Sequence, residues 1–375
     1  MARARARTRT TVSPDVAARA VADIGLYAEL HLHLGGAILP NILFAHMQRD
    51  GHALMKRYST YERFERFFTR RRSGLADYLK MHALVERLQR PADQHMFYFV
   101  TRLVRGAFLF DNLAYMELRH TPYNRTDAAL DMRGRIGQMR SVVQAISAAA
   151  SAQPQYPLVL RQILCMHSAL PREVNEAICE LAIEMSGEHE PMAGYNGGVV
   201  ALDLAGPNEP YAERIDEFVT LFRRAKSRSS GSLKTTAHVF ETRAGCFPKL
   251  LPYLDRIGHG IQIPLRYPKL LSRLARDGQC LEVCPTTYLR TGTLRDYTEL
   301  RPVFAKCRAE GVPIAICTDN GGLHNVRLPG EYENLLVRDV IGMEELGECL
   351  RASFRHAFAW KGPPPDPLRR VTIPR

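Results

Sequence analysis

The stretch Tyr27-Ala28-Glu29-Leu30-His31-Leu32-His33 decides how this chain is read. On an extended strand, residues two apart face the same way, so His31 and His33 project together and can meet one metal ion. Two histidines in a strand can equally be core side chains whose ring nitrogens are satisfied locally. The metal reading gains support further along, because His238, His259 and Asp319 each stand at or near the end of a later apolar run.

Working outward, eight short apolar runs recur: Tyr27–Leu34, Leu113–Pro122, Leu158–Met166, Val199–Gly206, Lys234–Glu241, Asp255–Ile263, Cys280–Thr287 and Pro313–Asn320. Helix-like segments separate most of them. In Pro171–Ser186, Val174, Ala177, Ile178, Leu181, Ala182 and Met185 recur at three-to-four spacing, with glutamates on the other faces. Lys269–Arg276 and Val303–Glu310 read the same way. Strands alternating with helices imply parallel βαβ units, and eight of them predict an α/β fold of the TIM (β/α)8 barrel type. In that architecture catalytic groups gather at the C-terminal ends of the strands, where the polar residues named above lie. The interval between the first two runs is too long for a simple crossover and predicts a helical insertion over about residues 41–110. Within it Tyr58–Arg72 reads as an amphipathic helix, either a lid over the strand ends or a peripheral packing element. The predicted organisation is one barrel over residues 21–362, between a basic irregular tail (1–20) and a proline-rich irregular tail (363–375).

Composition narrows the function classes. The chain has 375 residues, 46% of them hydrophobic, enough for a large core. No run approaches the roughly 18 apolar residues that would predict a membrane span. The formal net charge is +12, part of it from Arg3, Arg5, Arg7 and Arg9 at one end and Arg369, Arg370 and Arg375 at the other. Such charge suits nucleic acid or anionic lipid. Without interleaved aromatics or an RNA-binding signature it reads as solvated tails, and nucleic acid is not an expected partner. An arginine-rich, acid-poor start also fits a transit peptide. The eight cysteines are scattered with no Cys-x-x-Cys pair, which argues against a disulfide framework or thiolate zinc site and for a reducing cytoplasm.

A catalytic zinc takes three or more nitrogen or carboxylate ligands and leaves a position open. His31, His33, His238 and Asp319 supply such a set, for one Zn2+ or another divalent transition metal per chain. Glu241 follows His238 by three residues, so the two share a face only if the strand turns at Val239–Phe240. It then becomes a candidate proton donor, and otherwise an exposed loop carboxylate. His259 lies between Gly258 and Gly260, which permit close backbone approach to a ligand or simply a turn. Gly206, closing the fourth run, either offers its backbone N–H to a bound ring or ends a strand.

Seven motifs, "AELHLHLGGAILPNIL", "YMELRHTP", "VVALDLAGPNE", "HVFE", "RIGHG", "LEVCPTTYLRTG" and "ICTDN", occur in order from Tyr27 onward. Together they resemble the adenosine deaminase family of the amidohydrolase superfamily. The resemblance implies zinc ligation by His31, His33, His238 and Asp319, and protonation of purine N1 by Glu241. It also implies activation of the attacking water by His259 and a backbone contact from Gly206 to the purine N3 edge. The implied reaction replaces the 6-amino group of an adenine nucleoside or related purine with oxygen and releases ammonia. Three departures bear on the substrate. Gly35 stands where adenosine-using members carry an acidic residue at the ribose 5′-hydroxyl, which predicts open space there. Asn320 replaces a second aspartate at purine N7, where an amide can donate. Val239 and Phe240 replace small residues and predict a reshaped pocket wall. The arginines of Arg63–Arg72 are then candidates to meet a 5′-phosphate or other anionic substituent. Two other readings stay open: a metal hydrolase for a different heterocycle or amide, and a non-catalytic barrel that binds nucleosides or nucleic acid.

Overall fold

In a computed structural model, residues 12–72, 75–89, 92–186 and 196–363 are described. Nine parallel-paired strand segments follow one another: β1 (Tyr27–His33), β2 (Leu113–His120), β3 (Val159–His167), β4 (Val199–Ala205), β5 (Lys234–Thr235), β6 (His238–Val239), β7 (Arg256–His259), β8 (Cys280–Val283) and β9 (Ile314–Ile316). They pair in order as β1-β2-β3-β4-β5 and β6-β7-β8-β9. β5 and β6 are two halves of one strand: Thr236 N–H donates to Leu202 on one side, while Asp255 and Gly258 N–H donate to Thr235 and Ala237 on the other. The ring closes where Asp319 N–H donates to His31 C=O and His33 N–H to Asp319 C=O, both at 2.7 Å. Eight strands and a closed ring make this the TIM barrel that the alternation of runs and helices predicts.

Burial explains why the elements sit where they do. β2 is buried along its whole length, as a barrel strand covered by helices must be. The helix Arg172–Ser186 buries Val174, Ile178, Leu181, Ala182 and Met185, the stripe its periodicity predicts. Each of the larger of these side chains, withdrawn from water, stabilises the fold by roughly 1.5–3 kcal/mol before entropy is counted.

Two sequence expectations need correction. Residues 14–20 are not irregular: Pro14–Ala22 is a helix, capped by Ser13 and started by a proline, which burying Ala17 and Val21 holds in place. Residues 1–11 and 364–375, the rest of the expected tails, lie outside the described residues. Several runs also stop short as strands, because Gln262–Arg266 and Pro285–Thr291 turn helical right after β7 and β8.

The insertion consists of helices Leu34–Ala37, Pro40–Arg49, Tyr61–Thr69, Leu75–Leu88 and Ala92–Asp111. Tyr61–Thr69 buries Phe64 and Phe68, and none of the arginines of Arg63–Arg72 lines the cavity at the strand ends. Arg72 folds back to the carbonyls of Phe67 and Phe68, and Arg70 and Arg72 lie over the Phe67 ring. This helix is a packing element, and the wall over the strand ends comes from Leu75–Leu88 instead. The described cysteines are all free. Among the described residues no helix is long and apolar enough to cross a membrane.

Candidate active site

His31, His33, Gly35, Gly206, His238, Glu241, His259, Asp319 and Asn320 come together at the C-terminal rim of the barrel. His31 and His33 leave β1 on one side, as strand alternation requires, and His238 comes from β6. Nε2 of His238 stands 3.1 Å from Nε2 of His31 and 2.9 Å from Nε2 of His33. Asp319 Oδ1 lies 3.4 Å from His33 Nε2 and 3.7 Å from His31 Nε2.

The opposite edges of two of these rings fix their tautomers. His31 Nδ1 faces the Glu282 carboxylate at 2.7 Å, and His238 Nδ1 faces Asp203 at 3.3 Å. With the protons held at Nδ1, the Nε2 lone pairs point at one another, an arrangement that is repulsive unless a cation lies between them. Three imidazole nitrogens and one carboxylate oxygen are donors that zinc takes, and they lie close enough together to share one ion, so the residues present fit the metal.

Glu282 and Asp203 were not read from the sequence as functional. They belong to a buried lattice: Arg119 spans Asp203 and Glu282 at 3.2 and 2.8 Å, and Arg256 reaches Glu282 at 2.7 Å as well as Glu117. Glu29 accepts from His31 N–H and from the N–H and hydroxyl of Thr318, fastening the strand ends that present His31 and Asp319. A signal existed in the sequence. Glu29, Glu117, Asp203 and Glu282 each interrupt an apolar strand run, and a carboxylate inside a barrel needs partners.

The turn on which Glu241 depends is present. β6 ends at Val239, and Phe240 adopts φ +57°, bringing Glu241 to the same cavity as His238. His259 and Asp319 also have positive φ, +64° and +60°. Left-handed backbone at non-glycine residues costs about 1–3 kcal/mol each and persists only where surrounding contacts enforce it. Here all three lie at strand ends around one cavity. Val239 and Phe240 do not form its wall; both are fully buried, Phe240 packing edge-on to Tyr267.

The cavity holds about 320 Å³, at the lower end for small-molecule sites, and is lined by His33, His238, Glu241, His259, Asp319 and Asn320 among others. Gly35 and Gly206 line it too, while His31 reaches the cluster from behind, fully buried. Glu241 Oε2 lies 3.7 Å from His259 Nε2. Burial, reinforced by the Asp319 carboxylate, pushes the Glu241 carboxyl up to about 7. Burial and the neighbouring rings of His31 and His238 hold His259 neutral. Asp319 also accepts from Thr287 Oγ1 at 3.0 Å.

The glycines are required by their surroundings. Gly206 has φ +117°, and a Cβ there would stand 2.5 Å from Ser168 Oγ. At Gly36 a Cβ would stand 1.9 Å from Asn320 Oδ1. Asn320 donates Nδ2–H to Asp319 Oδ1 and packs its oxygen over Gly36. The expected open space at Gly35 is absent: a Cβ there would meet His82 at 3.1 Å and Glu86 at 3.2 Å, both from Leu75–Leu88.

The adenosine deaminase family profile matches residues 27–362, the whole barrel and its insertion. The chain belongs to the adenosine deaminase family. An aminodeoxyfutalosine deaminase from Streptomyces coelicolor is 28% identical, the match covering 91% of this chain and 82% of that protein. An amidohydrolase from Burkholderia ambifaria solved with bound zinc has a TM-score of 0.74 at 20% identity, covering 94% of this chain and 90% of its own. The N6-methyl-AMP deaminase of Arabidopsis thaliana has a TM-score of 0.70 at 22% identity, with 91% and 94% covered. Membership of this deaminase family, together with the His/Asp cluster at the strand ends, makes the protein a metal-dependent hydrolase of C–N bonds in cyclic amidines.

Proposed function

We propose that the protein is a zinc-dependent deaminase that converts the 6-amino group of an adenine nucleoside or related purine to the 6-oxo form. The observation that carries this reading is a buried acid and a buried imidazole base set beside the His/Asp cluster, the base ring 4.8 Å from that of His31 and 5.2 Å from that of His238. Glu241 and His259 take those roles, their side chains 3.7 Å apart. Two relatives with deaminase names, acting on a futalosine derivative and on N6-methyl-AMP, support a purine amine as the reacting group.

In this reading His31, His33, His238 and Asp319 hold one zinc ion. Bound there, zinc supplies Lewis-acid activation that makes water a nucleophile near neutral pH. His259, held neutral, takes a proton from the attacking water. Glu241 gives its proton to the ring nitrogen beside the reacting carbon, which raises the electrophilicity of that carbon. A C–O bond forms and the C–N bond breaks. One water proton leaves with ammonia and the other restores Glu241. Gly206, packed against Ser168, brings backbone to the cavity wall where the far edge of the purine rests.

The test is ammonia release, with ultraviolet difference spectra, from adenine, adenosine, AMP and 5′-modified adenosines incubated with zinc-loaded protein. Ammonia from at least one, with loss of the adenine spectrum, is expected. Release from none of them would remove the proposal.

A further inference from the structure

We infer that Glu86, on the inserted helix Leu75–Leu88, accepts a hydrogen bond from a sugar hydroxyl of the purine substrate, so that this end of the cavity admits a neutral sugar and rejects a phosphate. The inference rests on the adenine-type reading above and specifies its substrate class. Glu86 occupies the space next to Gly35, two residues beyond His33, so it faces the cavity beside the His/Asp cluster from a different element.

The carboxylate is held rigidly. Asn124 Nδ2 donates to Oε2 at 2.9 Å and Arg125 Nη1 to Oε1 at 3.3 Å. Arg125 also binds Gln89 at 3.1 Å, and Gln89 donates to Gly35 C=O at 3.3 Å. The inserted helix is thereby clamped to the turn that follows His33. Each carboxylate oxygen keeps lone-pair capacity for a second donor, which a hydroxyl can supply and a phosphate dianion cannot. Burial works against the charge of Glu86, but Arg125, His82 and Asn124 outweigh it and keep the group ionised. Such fixed preorganisation lowers the ordering cost of binding.

The cations around the cavity agree with this. Among the described lining residues Arg119 is the one guanidinium or ammonium, and it is committed to Asp203 and Glu282. His82, His120 and His167 also line it, and burial lowers all three below their ordinary range. An incoming phosphate dianion would meet an anion and no uncommitted cation.

The experiment compares zinc-loaded wild type and Glu86→Gln on adenosine, its 2′-, 3′- and 5′-deoxy analogues, and AMP. For adenosine the variant should raise KM roughly tenfold or more, the worth of a hydrogen bond to a charged group, with kcat nearly unchanged. At least one deoxy analogue should show no difference between the two proteins. Wild type should disfavour AMP, and the variant should narrow that gap. Equal losses on adenosine and all three deoxy analogues, or a wild-type preference for AMP, would overturn the inference. Calorimetric binding of inosine, its deoxy analogues and IMP to wild type gives a reading independent of turnover and of the variant's folding. Loss of affinity on removing one hydroxyl, and weaker binding of IMP, sustain the inference even if no adenine compound is deaminated. Equal binding of all, or binding of none, overturns it.

Discussion

At the residue scale, two side chains separate binding a metal from using it. Glu241 needs its proton at working pH, and burial beside Asp319 sets its carboxyl at about 7. The protonated form is present below that value, so kcat should fall as pH rises through about 7, a limb visible in a pH–rate profile. Glu241→Gln cannot deliver the proton, and kcat should drop on the order of 10²–10⁴-fold while metal content by mass spectrometry stays at one ion per chain. Asp203 acts one step back, through His238. Asp203→Asn should weaken zinc binding by roughly 10–100-fold in a competition with a chromogenic chelator, because the ring loses its orienting carboxylate. An unchanged zinc affinity would mean that Leu204 C=O, 3.3 Å from the same Nδ1, suffices.

At the scale of elements, the site depends on loops and helices that begin where strands end. Helix Leu328–Val337 buries Glu331, whose Oε1 accepts from Thr286 N–H at 3.1 Å at the start of helix Pro285–Thr291. Burial pushes this carboxyl up to about 8 from an ordinary 4.5. A group raised in the folded state contributes stability that is complete below its unfolded value and is lost as pH rises through its folded one. The share that Glu331 contributes should therefore be lost between about pH 4.5 and 8, and the stability difference between wild type and Glu331→Gln in urea titrations should change over that range. A variant with the same slope would show that other groups set it. The insertion was visible in the sequence as a length anomaly containing one amphipathic helix. Its arginine-rich helix stood out by composition, yet Phe64 and Phe68 turn it into a packing element, while the less conspicuous Leu75–Leu88 lines the cavity.

At the scale of the whole molecule, the barrel closes through the site itself. Hydrogen bonds between Asp319 and the His31–His33 backbone join the last strand to the first, so a metal held by these residues also ties the ring together. Zinc at a hundredfold excess over its dissociation constant should add about 2.7 kcal/mol. For a chain of 375 residues that raises Tm by roughly 3 °C over chelator-stripped protein in a calorimetric scan. Equal melting with and without zinc would show that the donor cluster does not bind it in the folded state.

The order of amino acids already carried the barrel, the rim on which the chemistry sits, and the meeting there of His31, His33, Gly35, Gly206, His238, Glu241, His259, Asp319 and Asn320. Strand alternation and motif order are local patterns, and local patterns survive in one dimension. Tertiary structure alone decided what fills the gap at Gly35, which carboxylates orient His31 and His238, and that Val239 and Phe240 face the core. Those outcomes depend on packing between segments far apart along the chain, as between His31 and Glu282 or Gly35 and Glu86. No periodicity records which of many polar side chains will reach a given cavity once the ring has closed.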